Sequence, residues 1–239
     1  RYRAGDIGEF RHGEGEYMHN RGPLWPRTTR GEKNHWRNHM SSTYYSTHSI
    51  GPILNITDTR PVRVVGFETP PAKHMAELGC LSGGASVIML QMDNGAMFKA
   101  LQGYLKREPP SVWYCLYGEN GMMETDRTQK GVSSLSVYAE GKSKLLEDYL
   151  PAPPPSYPNG ELAPGRFGAD YCIIDGFVSK ILGCPDDNGI LDVYRALDIG
   201  IPGILAYRSI CEGNMPIKVP DFRNREEREP YRNDEWSTF

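Results

Sequence analysis

The sequence predicts an α+β domain in which a mainly antiparallel sheet is covered on one side by helices. Three observations lead there. Strand-length apolar stretches follow one another at 62–67, 85–92, 95–105, 111–118, 121–126 and 133–140. Asp93-Asn94-Gly95 and Gly118-Glu119-Asn120-Gly121 lie between them as turns, and Asn-Gly is a strong hairpin signal. Helical periodicity belongs to other parts of the chain, so short turns rather than helices join these strands, unlike the alternation of a doubly wound fold.

Taken in order, residues 8–18 carry spaced apolar residues among charges and read as a half-exposed strand. Glu14 and Glu16 alternate there with Gly13 and Gly15. Both carboxylates therefore point to one face, either lining a pocket or meeting solvent. Residues 19–43 are polar and rich in Gly, Pro, Trp and basic side chains, a long excursion of the kind that often binds ligands. Residues 43–57 read as a helix with Ser42 or Thr43 as N-cap. The strand Val62–Phe67 follows Arg60-Pro61.

Beyond the strands, the proline-rich segment 151–166 predicts an extended connector. Ile174, Phe177, Val178 and Ile181 then recur at the spacing of one helix face. A second helix spans about 190–212, with Tyr194, Leu197, Ile201, Ile204 and Leu205 inward and a kink at Pro202. The tail 216–239 is charged and wraps the surface. There is no internal repeat, and residues 1–239 read as one domain.

Composition narrows the function classes. With 239 residues the chain can bury one substantial core, and a net charge of −3 argues against a nucleic-acid binder, which carries a basic stripe. No apolar run approaches the roughly 18–20 residues that span a bilayer. The opening Arg-Tyr-Arg-Ala-Gly-Asp has neither an initiator Met nor a signal-peptide core, and reads as a cut end. The five cysteines (Cys80, Cys115, Cys172, Cys184, Cys211) are odd in number and form no C-x-x-C pair. Buried reduced thiols in a cytoplasmic protein are the simplest reading. No P-loop, G-x-S-x-G or strand-borne G-x-G-x-x-G is present, so no cofactor-binding residues are assigned.

The chemistry concentrates in 36–52, Trp-Arg-Asn-His-Met-Ser-Ser-Thr-Tyr-Tyr-Ser-Thr-His-Ser-Ile-Gly-Pro. On a helix, Tyr45 and His48 share a face. Pro52 has no N–H for the His48 carbonyl, so the helix is expected to loosen and let the imidazole reach a pocket. A histidine titrating near neutrality is a natural acid/base group, and a neighbouring tyrosine can hold a sugar hydroxyl. The alternative is a core histidine bonded to backbone with Tyr45 merely packing. Arg37, Trp36 and Trp25 add donors and stacking faces suited to a sugar ring. His12, His19, His35 and His39 invite a metal reading, but no nearby carboxylate completes a ligand set, and none is assigned. The negative charge of Asp170 suits the start of its helix, with a site role as the alternative.

Several stretches together resemble a known family. They are Gly5-Asp-Ile-Gly-Glu-Phe, Gly13-Glu-Gly-Glu-Tyr17, Trp36-Arg37, Tyr45-Ser-Thr-His48-Ser-Ile-Gly-Pro52, Arg60-Pro-Val-Arg-Val-Val-Gly-Phe67, Tyr117-Gly-Glu-Asn-Gly121, Gly168-Ala-Asp170-Tyr and Pro216-Ile-Lys-Val-Pro-Asp-Phe222. In order and spacing the chain resembles the C-terminal domain of the glucose–fructose oxidoreductase/inositol dehydrogenase/rhizopine catabolism (Gfo/Idh/MocA) family. The resemblance implies an open-faced, mainly antiparallel sheet that binds a sugar, polyol or glycoside and assembles homo-oligomers through its exposed face. It also implies a missing N-terminal Rossmann domain that binds NAD or NADP and carries a catalytic lysine, so that this chain alone holds no cofactor and is inactive.

The family's substrate-domain histidine maps onto His48. Many members place an aspartate where this chain has Tyr44. The Tyr-x-Thr-His-x-x-Gly-Pro form is similar to the NAD-dependent α-N-acetylgalactosaminidase branch, in which transient oxidation at C3 permits glycoside elimination. There the tyrosine and histidine that contact substrate map to Tyr45 and His48. That branch has His-Gly-Gly before its late aspartate, whereas this chain reads Arg166-Phe-Gly-Ala-Asp170. The site expected is therefore catalytic His48 and Tyr45, with Arg37, Trp36, Tyr44 and Asp170 on substrate. A third reading is a carbohydrate-binding or dimerisation module without catalysis.

Overall fold

Period-two alternation builds the sheet, and one glycine on its central strand decides how closely a covering helix approaches. The computed structural model describes residues 1–127, 134–150, 169–184 and 192–236, so the proline-rich connector lies outside the described residues. In chain order the elements are β1 (Phe10–Met18), α1 (Trp25–Thr29), α2 (Thr47–Thr57), β2 (Pro61–Glu68), α3 (Lys73–Glu77), β3 (Ala85–Met92), β4 (Met97–Gly103) and β5 (Ser111–Gly118). They continue with β6 (Gly121–Thr125), β7 (Leu135–Ala139), β8 (Glu147–Tyr149), α4 (Ala169–Ile181), α5 (Val193–Cys211), β9 (Ile217–Lys218) and α6 (Arg225–Arg228).

The strands form one sheet in the order β8-β7-β6-β5-β1-β4-β3-β2-β9. Every neighbouring pair is antiparallel except β1 and β4, where His12–Met18 runs parallel to Met97–Gly103. The sheet is thus mixed, and it is not the simple meander that short turns imply. The chain leaves β1 at the centre, crosses the helical face through residues 19–60, and re-enters near the edge at β2. Strand periodicity fixes which residues alternate, but not the neighbour a strand finds after so long an excursion.

Helices α2 and α5 cover one face. Ile50, Ile53 and Leu54 of α2 join Phe10, Val64, Ile88, Leu90, Phe98, Ala100, Leu116, Leu205 and Ala206 in the main core. A Cβ on Gly15 would stand 2.8 Å from the Ser49 carbonyl oxygen, so α2 rests on bare β1 backbone. Of the residues expected inward on α5, Leu205 is buried, Tyr194, Leu197 and Ile201 are half-buried, and Ile204 is exposed. Asp198, Ile199, Pro202, Gly203, Ala206 and Ser209 complete the buried face. Close approach selects small residues: a Cβ on Gly203 would meet the Ser46 hydroxyl and the Thr43 carbonyl, both at 2.6 Å. The helix runs on through Pro202.

Other expectations need correction. Helix α4 forms, but Ile174, Phe177, Val178 and Ile181 are exposed, because among the described residues no element packs extensively against that face. Only Cys80 and Cys115 are buried; Cys172 is half-buried, while Cys184 and Cys211 stand exposed at helix ends. The tail does more than wrap: β9 pairs with β2, and Val219 enters the core. No helix among the described residues is long and apolar enough to cross a membrane.

The opposite face of the sheet presents Phe67, Met97 and Tyr117, all exposed, among charged residues. Glu14 and Glu16 share this face, as alternation requires. Glu14 pairs with Lys99 and lies 3.6 Å from His12. Glu16 departs from the solvent reading: it is only 4% exposed, ion-paired to Arg127 and 4.0 Å from Arg107 Nε.

Candidate functional site

Serines set the local fold of 41–57. Ser41 Oγ accepts from the Thr43 amide at 3.1 Å and caps a 3-10 turn over Ser42–Tyr45, after which α2 begins at Thr47. The single helix expected from 43, capped by Ser42 or Thr43, is thus split in two. Short polar side chains that bond nearby backbone favour such turns over α-helix. Glu68 at the end of β2 fixes the turn by accepting from Ser41 Oγ (2.6 Å), the Ser42 amide (3.0 Å) and Ser42 Oγ (3.2 Å). Ser42 Oγ also meets Ser86 Oγ at 2.9 Å, tying the turn to β3.

The turn splays the two tyrosines. Tyr44 packs edge-on against Tyr207, with centroids 5.8 Å apart, on the α5 side. Burial first, then Tyr207, pushes its hydroxyl pKa up. Tyr45 goes the other way, edge-on to Tyr104 at 5.5 Å and stacked with His48 at 6.3 Å and 22°.

His48, at the exposed start of α2, is also stacked on Tyr17, at 4.2 Å and 19°. Tyr17 lies on the same face of β1 as Gly13 and Gly15, under the helices. No break at Pro52 is needed to present the ring, because α2 is continuous through the proline. The His48 carbonyl accepts instead from Tyr114 Oη at 2.8 Å. Burial, then the nearby Tyr17, pushes Tyr114 up to about 12, so it remains a protonated donor. The backbone of His48 is thereby fixed while its ring lies beside two tyrosine faces. An imidazole so placed can take a proton from a hydroxyl lying along the tyrosines.

Around Tyr45 and Tyr17 stand three further side chains. The Arg21 guanidinium carbon lies 5.3 Å from the Tyr45 ring centroid, a cation–π distance. His19 packs edge-on against Tyr17 at 6.1 Å, and burial, then Arg21, holds its pKa below the ordinary histidine value. Tyr104 is 2% exposed and packs on Trp25 at 5.6 Å.

Trp25, a candidate stacking face by sequence, is a core residue: its Nε1 donates to Asn38 Oδ1 at 2.8 Å, organising the 19–43 loop from within. Trp36 is 60% exposed, stacked with His35 at 5.7 Å and beneath Arg37 at 4.5 Å. Asp170 is exposed in the first turn of α4. The structure thus brings Tyr45 and His48 together. Trp36 and Arg37 instead pair with each other on the exposed loop, and Asp170 belongs to a separate helix. Sequence reasoning missed Tyr17, Arg21, Tyr104 and Tyr114. The Gly13, Gly15, Tyr17 alternation could have found the first; the others arrive only through pairing in the sheet and the fold of the loop. No group of three or more His, Cys, Asp or Glu positioned to hold a metal occurs among the described residues.

No protein-family model matches the chain. It is similar to the glycosyl hydrolase family 109 protein 2 of Akkermansia muciniphila, 26% identical, with 92% of this chain and 52% of that protein covered. Among solved structures it is similar to the aldose-aldose oxidoreductase of Caulobacter crescentus complexed with glycerol, with TM-score 0.63, 18% identity, and 91% and 58% of the two chains covered. It is also similar to levoglucosan dehydrogenase in complex with NADH and levoglucosan, with TM-score 0.68, 14% identity, and 92% and 61% covered. The chain spans about half the length of the curated relatives it matches. These likenesses bear out both the resemblance to the Gfo/Idh/MocA C-terminal domain and the α+β fold of that type.

Proposed function

We propose that residues 1–239 form the substrate-binding domain of an NAD(P)-dependent oxidoreductase acting on a hydroxyl of a sugar, polyol or glycoside. His48 is the acid/base and Tyr45 a substrate contact. The observation that carries this reading is the His48 imidazole stacked beside both Tyr17 and Tyr45 with its backbone carbonyl held by Tyr114. Relatives and fold neighbours that are glycosidases or sugar oxidoreductases support it.

The chain's own chemistry is binding and proton handling. Sugar hydroxyls lie along the tyrosine faces, and His48 accepts the proton of the hydroxyl being oxidised. Trp36 and Arg37 are assigned to the outer face of the sugar. Tyr44 and Asp170 keep their substrate role through the family resemblance. Through the family resemblance, NAD or NADP is assigned to a Rossmann domain outside this chain. Isolated, the chain is expected to be inactive and to give no NAD binding isotherm. The protein is assigned to the cytoplasm, and the exposed Phe67, Met97 and Tyr117 to a homo-oligomer contact.

A second reading is glycoside cleavage through transient NAD-dependent oxidation at C3, favoured by the family 109 relatives. Assaying the full-length parent with nitrophenyl glycosides and catalytic NAD separates the two. Nitrophenol release without net NADH supports cleavage, whereas stoichiometric NADH supports simple dehydrogenation. If the parent does neither on any sugar or glycoside, a non-catalytic binding module remains.

A further inference from the structure

We infer that Arg21, His19 and Tyr104 form a second subsite beside Tyr45 and His48 that takes a carboxylate carried by the sugar. This rests on the sugar-handling reading of the Tyr45–His48 pair. Arg21 Nε is buried without a hydrogen-bond partner, and Arg21 makes no ion pair among the described residues. The Tyr104 hydroxyl, on a side chain 2% exposed, also has no partner, and neither does His19 Nδ1. Buried polar groups are normally paired, and leaving them unpaired is costly. Three such groups gather around Tyr17 and Tyr45, the two rings that flank His48.

The donors select the ligand. Arg21 offers a planar fork that matches a carboxylate, and charge-assisted bonds are roughly twice as strong as neutral ones. Glu108 is exposed and accepts from the Asn20 amide at 3.3 Å, and no ion pair joins it to Arg21 among the described residues. Burial holds the Tyr104 hydroxyl protonated, as a donor. Burial and Arg21 favour neutral His19, which adds one hydrogen bond but no second charge. Two donors and one cation suit anionic oxygen better than another hydroxyl. A hexuronic acid glycoside carries such a group on the same ring as the hydroxyls that Tyr45 and His48 would meet.

The 239-residue chain can be titrated with methyl glycosides of glucose and galactose, and with those of the matching uronic acids. Binding is followed through the imidazole NMR signals of His19 and His48. The uronides are expected to bind about tenfold more tightly and to move both histidines. Arg21→Gln should bring the uronide-to-hexose ratio near one, Arg21→Lys should keep part of the preference, and Arg27→Gln on the surface should leave it intact. A ratio near one in the unaltered chain, or one that survives Arg21→Gln, overturns the inference. If both sugar classes move His48 with equal affinity, the sugar site stands and the carboxylate subsite alone falls. If neither moves His48, both fall.

Discussion

The hydroxyl of Tyr114 donates to the backbone carbonyl of His48 at 2.8 Å and supplies the bond that Pro52 cannot. A strand residue thus completes a helix and fixes its first turn against the sheet. Tyr114→Phe removes that donor, and because water can reach the exposed carbonyl the expected cost is that of one net hydrogen bond, about 0.5–1.5 kcal/mol. Pro52→Ala restores an amide at the same place. In denaturant unfolding the double variant should therefore regain part of the loss, giving a coupling of about 0.5 kcal/mol or more. Strict additivity would show that the two residues do not share the carbonyl.

The seat of α2 makes a second prediction. Gly15→Ala forces a methyl to within 2.8 Å of the Ser49 carbonyl oxygen, and overpacking of this kind costs about 1–3 kcal/mol. At Gly200 on α5 a Cβ would meet nothing within 4 Å, so Gly200→Ala should be neutral or stabilising by up to about 1 kcal/mol. Equal melting temperatures for the two variants would show that β1 and α2 do not approach so closely.

Acid should act through His19. Burial and Arg21 hold its folded pKa below the ordinary value of 6.5, so as the pH falls through 6.5 the unfolded chain takes up the proton first. The stability from neutral His19 is present above that value and is lost as pH falls towards the folded pKa. An NMR titration should give a midpoint below 6.5, and Arg21→Gln should raise it. A midpoint at or above 6.5 in the unaltered chain would mean that Arg21 and burial do not act on this ring.

Much of this was legible in the sequence because it is periodic. The strand alternation, the Asn94-Gly95 turn and the helix carrying His48 follow from local pattern. Placing Tyr45 near His48 needs only helical spacing, and the fold keeps them together even though a 3-10 turn replaces the first helical turn. The parallel β1–β4 pairing was not legible, because nothing local in Gly13–Tyr17 names Phe98–Gln102 as its neighbour. The same holds for Tyr114: its alternation marks a strand, while its bond to His48 depends on β5 lying beside β1. Trp25 shows the converse error. A tryptophan in a polar loop reads as a binding face, yet its hydrogen bond to Asn38 makes it the loop's own core.

The role of His48 as the acid/base is tested most directly in the full-length parent by His48→Ala, with turnover and unfolding measured on the same preparation. General acid–base catalysis contributes roughly 10²–10⁴-fold, so turnover should fall by that much. Stability should change by less than about 1 kcal/mol, since the ring is exposed at the start of α2. A folded variant with unaltered turnover would contradict the assignment.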